Sequence, residues 1–206
     1  MLERLIEMIL EKSFQVRDNP PFKLASGKLS KYYVNCKPTT LSPEGMHLIG
    51  KLILDKIREK HGTAVDAVGG LITGACPIVS AVAMVSYDKG NPINAFYVRD
   101  EKKGHGTKRK VEGDIHKGDK VIIVDDVITT GDSTIKAING ANEEGLEVVG
   151  VIVLVDREEG GKVKIEENAP YCESIIEMSC LKEKFYARHA EKGVASGQSF
   201  APYQTV

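Results

Sequence analysis

The sequence predicts an α/β fold in which helices flank a parallel central sheet, preceded by a small N-terminal element. Three observations carry this prediction. From residue 65 onward, short apolar strands alternate with helical patterns, the strands are apolar at consecutive positions, and glycine or proline marks most joints. A strand that is apolar on both faces needs cover on both, which a parallel sheet receives from its crossover helices.

The elements follow in order. Leu2, Leu5, Ile6, Ile9 and Leu10 recur at helical spacing, so residues 2–13 are predicted to form an amphipathic helix. The turn-rich stretch 18–41 is too irregular for a helix, and its apolar pieces at 22–24 and 32–34 predict a small β-element. Ser42 then caps a helix with Pro43 at its first position, and Met46, Ile49, Ile53 and Ile57 carry it to a stop at Gly62. Strands are predicted at 65–69, 93–98, 121–125 and 148–155. Helices lie between them, one from Pro77 towards Gly90 and one through Ile135, Ile138 and Ala141 to Gly145. The whole chain, 1–206, reads as one domain, with a hood at about 14–41 plus C-terminal segments and a core at about 42–160.

Composition narrows the function. Apolar residues make up 42% and charged residues 28%, as in globular proteins. Twenty-eight basic against 29 acidic side chains leave a net charge of −1, which gives no overall attraction to nucleic acid or an anionic membrane. No apolar run reaches the roughly 18 residues of a membrane span. The N-terminus carries acids within its apolar pattern, unlike a signal peptide. The four cysteines form no CxxC pair and have no metal-ligand spacing with the five histidines, so buried free thiols in the cytoplasm are expected.

Parallel sheets bind ligands at the carboxyl ends of their strands, so chemistry is expected in the loops after residues 69, 98, 125 and 155. The stretch VIIVDDVITTGDSTIKA (121–137) brings Asp125 and Asp126 to a strand end, followed by a hydroxyl- and glycine-rich loop, 129–134, that opens a helix. Backbone N–H groups at a helix start form a phosphate cradle, and two acids beside it suit a ligand with hydroxyls, a metal ion or a carbon that becomes cationic. The plainer alternative is that Asp125 ends the strand while Asp132 or Ser133 caps the helix. A Walker loop would need a GK[ST] run, which is missing here. The stretch 99–113 gathers six lysines and arginines and His105 around Gly104 and Gly106, which suits a polyanion, a solvated hairpin or a nucleic-acid patch. GGLITGACP (69–77) can present backbone amides, or is simply a tight turn. Arg157, after the last strand, suits a planar carboxylate or an ion pair with a neighbouring glutamate.

The run VIIVDDVITTG closely resembles the phosphoribosyl-diphosphate signature of type I phosphoribosyltransferases. Arg99, Lys103, His105 and Gly106 resemble the catalytic loop of the orotate branch, and Asp156-Arg157-Glu158-Glu159-Gly160-Gly161 resembles its DR-x-E-x-G element. Residues 21–35, with Tyr32 and Tyr33, resemble its N-terminal hood. Three places depart from the pattern. Asp100 stands where a second basic residue often occurs, Ala25 where many relatives have lysine, and 71–73 lacks the lysine some members carry.

The resemblance implies the type I phosphoribosyltransferase fold and an orotate phosphoribosyltransferase, a pentosyltransferase of de novo UMP synthesis. Such an enzyme converts 5-phosphoribosyl 1-diphosphate and orotate to orotidine 5′-monophosphate and pyrophosphate. It further implies that Lys103, Asp125 and Asp126 are catalytic. Phosphoribosyl diphosphate would be bound by Arg99, Lys103, His105, Asp125, Asp126, Val127, Ile128, Thr129, Thr130, Gly131, Asp132 and Ser133, and orotate by Thr129 and Arg157. Magnesium would arrive mainly on the diphosphate, with no protein ligand named. The partners implied are the two substrates and a second copy of the chain in a homodimer with shared active sites, with no nucleic acid and no membrane. Alternatives are transfer to another base, such as a purine, and a non-catalytic phosphoribosyl-diphosphate-sensing regulator. Arg157 and the hood speak against the first, Arg99, Lys103 and His105 against the second.

Overall fold

Five parallel strands and one antiparallel edge strand form the central sheet of the computed structural model, which describes residues 1–24, 27–100 and 110–191. The chain opens with α1 (Leu2–Lys12), β1 (Phe14–Val16), β2 (Phe22–Lys23), β3 (Leu29–Ser30), β4 (Tyr32–Val34) and the short α2 (Lys37–Thr40). The core elements are α3 (Pro43–His61), β5 (Ala67–Leu71), α4 (Cys76–Asp88), β6 (Asn94–Val98) and β7 (Val111–Gly113). They continue with β8 (Lys120–Ile128), α5 (Asp132–Glu143), β9 (Glu147–Asp156), α6 (Gly161–Glu166), β10 (Cys172–Glu177) and α7 (Met178–Glu191).

The long helices and parallel strands form where the apolar spacing placed them. Ser42 accepts the Gly45 N–H, Pro43 opens α3, and Gly62, at φ +58°, ends it. The sheet order is β10-β9-β8-β5-β6-β7, and every pair except β6–β7 is parallel. Apolar side chains above and below the sheet form two cores. One joins α1, α3, α4 and α7 to it, and the other joins α5 and α6. Strand β8 runs on past Asp125 to Ile128, and β10 adds a sheet strand beyond residue 160.

The N-terminal pieces pair otherwise than expected. Residues 22–24 and 32–34 do not meet as one element. β2 pairs antiparallel with β3, while β4 pairs with β1, which directly follows α1. Phe14 explains the second choice, because it stacks on Tyr32 at 6.0 Å and meets the edge of Phe185 of α7 at 5.4 Å. Thus the hood is fastened to the C-terminal helix by aromatic burial.

Candidate active site

Strands β5 and β8 are neighbours in the sheet, yet β6 lies outside β5 and β9 outside β8, so the connections leave this pair in opposite directions. Such a switch point opens a crevice at the strand ends. The loop after β5 and the loop after β8 meet there.

Asp125 is only 6% exposed. Its Oδ1 accepts the Asp126 N–H at 3.0 Å, and its Oδ2 accepts the Thr134 hydroxyl at 2.8 Å. Burial, reinforced by the neighbouring Asp126 charge, pushes the Asp125 carboxyl up to about 7. Asp126 is likewise raised by burial, although its Oδ1 accepts the Val127 N–H at 3.0 Å. Two acids are therefore kept close together in a poorly solvated place, which is unfavourable unless a ligand uses them.

The expected cradle lies beside them. A cavity of about 460 Å³ is lined by Asp125 and residues 127–134, so Val127, Ile128, Thr129, Thr130, Gly131, Asp132 and Ser133 come together in one place. Gly131 caps α5 at φ +81° and has no side chain to cap with. At this end the first N–H with an acceptor among the described residues belongs to Ile135, on the Gly131 carbonyl at 2.9 Å. The preceding N–H groups of the helix start are left for an anion. Asp132 has its carboxylate turned to Lys164 and to the Thr130 hydroxyl.

The 69–77 loop is shorter than expected. Gly69 and Gly70 belong to β5 itself, where close packing requires them: a Cβ on Gly69 would lie 2.3 Å from the Phe96 ring, and one on Gly70 2.3 Å from the Val124 carbonyl. Gly74 is the glycine that meets the acids. A Cβ there would stand 2.5 Å from Asp126 Oδ1 and 3.4 Å from Asp125 Oδ1. The Thr73 and Gly74 N–H groups have no acceptor among the described residues, so the turn does present amides beside the acid pair.

Arg157 follows β9, and its N–H donates to the Ile128 carbonyl at 3.0 Å, which sets it next to the cradle. Its side chain is only 4% exposed. Glu159 Oε1 takes both Nε, at 2.9 Å, and Nη2, at 2.8 Å, and the Tyr32 carbonyl of the hood lies 3.5 Å from Nη2. The neighbouring-glutamate ion pair thus exists, while Nη1 makes no hydrogen bond to a described residue. Tyr32 and Tyr33 are engaged in packing, the first with Phe14 and the Tyr186 hydroxyl and the second with Phe22.

Arg99 sits at the end of β6 and makes a two-pronged pair with Glu112, at 2.9 and 3.2 Å. Asp100 pairs with Lys136 of α5 at 2.7 Å. Lys103, His105 and Gly106, like Ala25 and the tail after Gly193, lie outside the described residues. The sequence reading missed the roles of Thr134 and Gly74. Thr134 continues the hydroxyl run, but its bond to Asp125 depends on α5 folding back over β8. Cys36 and Cys172 are buried and Cys76 and Cys180 half-buried, all four unbonded. Among the described residues no helix is long and apolar enough to cross a membrane.

The phosphoribosyl transferase domain family matches residues 41–178. An orotate phosphoribosyltransferase of Aquifex aeolicus is 48% identical over 87% of this chain and 96% of its own length. A crystal structure of the Mycobacterium tuberculosis orotate phosphoribosyltransferase with Fe(III) dicitrate superposes with a TM-score of 0.74 at 33% identity, covering 87% of this chain and 98% of that one. The same M. tuberculosis enzyme in complex with 5-phospho-alpha-D-ribosyl 1-diphosphate gives a TM-score of 0.70 at 31% identity, over 88% and 98% of the two chains.

Proposed function

Because the chain belongs to the phosphoribosyltransferase family, in its orotate branch, we propose the following division of labour among its residues. The reaction itself is transfer of the 5-phosphoribosyl group from 5-phosphoribosyl 1-diphosphate to orotate, giving orotidine 5′-monophosphate and pyrophosphate. The single observation that carries the assignment of roles is the pair of the buried Asp125 and the half-buried Asp126 set against an uncapped helix start in the switch-point crevice.

The N–H groups and hydroxyls of 129–134 hold the 5-phosphate, as the free donors of the α5 start and its lining of the cavity support. Asp125 and Asp126 accept ribose hydroxyls and stabilise positive charge on the anomeric carbon as its bond to the diphosphate oxygen breaks. Orotate N1 then bonds to that carbon as its proton passes to the departing diphosphate. The amides of Thr73 and Gly74 receive the diphosphate, together with Arg99, Lys103 and His105, with Lys103 as the main cation against the leaving group. Arg157, with Thr129, binds the orotate carboxylate through its free Nη1 edge.

The donor set also fits magnesium delivered on the substrate. Asp125 and Asp126 are hard oxygen donors, and among the described residues no group of three His, Cys, Asp or Glu side chains converges. When bound, magnesium neutralises diphosphate charge and eases its departure.

We further propose a homodimer with shared active sites, in the cytoplasm. Met84 and Tyr87 are exposed on α4 at helical spacing from Ser80. Ser80 lines an apolar cavity of about 480 Å³ with Leu41, Met46, Pro77 and Tyr97, beside Thr73 and Gly74. A second copy seated there would lie against the diphosphate turn. The four free thiols suit a reducing compartment.

The test is pyrophosphate release with magnesium and phosphoribosyl diphosphate, offering orotate, uracil, adenine, hypoxanthine and xanthine in turn. Turnover with orotate alone is expected. Turnover with a purine alone would remove Arg157 from its role, and substitution of Lys103 by alanine without loss of turnover would remove Lys103.

A further inference from the structure

Resting on the assignment of residues 129–134 to the 5-phosphate, we propose that Lys164 of α6 is a positioning residue that frees the Thr130 hydroxyl to bind that phosphate. Asp132 places a carboxylate at the rim of a cradle that must receive a dianion. Its two oxygens are held separately. Oδ2 accepts the Thr130 hydroxyl at 2.8 Å, and Oδ1 pairs with Lys164 Nζ. These contacts, Lys164 first, hold the Asp132 carboxyl below its usual range, so it stays charged.

A threonine hydroxyl has one proton to donate. While that proton rests on Asp132, a ligand oxygen cannot have it. When the phosphate takes the Thr130 hydrogen bond, Asp132 keeps Lys164 as its partner, and the lysine charge offsets the acid beside the dianion. Without Lys164, the carboxylate competes with the phosphate for the same hydroxyl and adds uncompensated repulsion.

Packing sets Lys164 in place. Gly161 lies so close to the phosphate loop that a Cβ there would be 2.7 Å from the Thr129 carbonyl and 3.0 Å from the Gly131 nitrogen. In turn, a Cβ on Gly131 would meet the Gly161 carbonyl at 2.9 Å and Ile165 at 3.1 Å. Ile165 is fully buried, so α6 is fixed on both sides of Lys164. The Lys164 and Asp132 side chains themselves are 50% and 63% exposed, and a pair so open to water adds little to folding. Its effect is therefore sought in ligand binding.

The experiment is steady-state kinetics on the intact enzyme, comparing wild type with Lys164→Met, Lys164→Arg, Thr130→Val and the double variant Lys164→Met/Thr130→Val. Lys164→Met is expected to raise KM for phosphoribosyl diphosphate about three- to tenfold, with kcat within about twofold and the melting temperature unchanged. Lys164→Arg is expected to keep the wild-type KM. Thr130→Val also raises KM, and adding Lys164→Met to it should cost less than Lys164→Met costs in the wild type, because the contested hydroxyl is gone and only the lost lysine charge remains. An unchanged KM in Lys164→Met, or fully multiplicative effects in the double variant, overturns the proposal. So does a lowered melting temperature with a parallel loss of kcat, which would mark a purely structural role. Absence of wild-type turnover with orotate would instead remove the underlying reading, whereas normal wild-type turnover beside an unaltered Lys164→Met removes only this proposal.

Discussion

Thr134, in the first turn of α5, donates its hydroxyl to Asp125 Oδ2 at 2.8 Å, with both side chains buried. One helix start thus frames the proposed phosphate cradle and also steadies one of the two acids beside it. This bond favours the ionised carboxylate against the burial that raises it. Thr134→Val is therefore expected to lift the Asp125 carboxyl further above about 7 and to move the acid limb of kcat/KM to higher pH by roughly half to one unit. The measurement is the kcat/KM profile between about pH 5.5 and 9, and an unmoved limb would count against a requirement for ionised Asp125.

The same buried acid weakens the fold at neutral pH. Its carboxyl lies near 7 in the folded chain against an ordinary 3.8, so the unfolded chain loses the proton more readily. The contribution of this one group to stability is thus greatest below about pH 4, declines as pH rises towards 7, and levels off above. Asp125→Asn is expected to stabilise the ligand-free protein by about 1–3 kcal/mol at pH 8 and to add nothing at pH 4, while turnover is lost. Urea unfolding at the two pH values distinguishes this from a general improvement in packing.

Gly74→Ala tests the approach of the glycine turn to the acids. The added methyl would stand 2.5 Å from Asp126 Oδ1, so the carboxylate must move. Turnover is expected to fall about 100-fold with a nearly unchanged melting temperature, since misplacement of a reacting group by an ångström has that scale of effect. Wild-type turnover in this variant would show that Asp126 need not hold its position.

Arg157→Lys separates charge from shape. A lysine keeps the positive charge but cannot hold Glu159 and a substrate carboxylate through one planar fork. KM for orotate is expected to rise about 10- to 100-fold, with KM for phosphoribosyl diphosphate within about twofold. A change confined to the second substrate would move Arg157 out of the base site.

Met84→Glu with Tyr87→Glu tests the exposed face of α4 as the contact between copies. If the proposed dimer uses this face, sedimentation is expected to show a single-chain mass for the double variant and a two-chain mass for the wild type, with turnover reduced. A dimer that survives both charges uses another face.

Much of the architecture is legible because it rests on local rules. Ser42, Pro43 and Gly62 bound α3 through cap, first-turn and stop chemistry, and the consecutive apolar residues of β8 and β9 declare burial on both faces. The acid pair and the hydroxyl loop could be assigned to one site because the strand and loop carrying them are contiguous in sequence. What stayed hidden depends on partners far along the chain. β1 and β4 are three residues each and exist through pairing and through Phe185, some 170 residues from Phe14. The spacing of Met178, Leu181 and Phe185 would have allowed α7, all three being buried in the core. No spacing rule connects Gly74 to Asp126, because only the adjacency of β5 and β8 brings them together.

The antiparallel edge of the sheet has a practical consequence. Val98 faces Val111 across β6 and β7, and the Arg99 N–H reaches the Lys110 carbonyl at 2.9 Å, so the chain departs and re-enters at almost one point. Closing a loop between fixed neighbours grows costlier only slowly with its length. Lengthening or exchanging the sequence between these anchors is thus expected to leave the sheet intact.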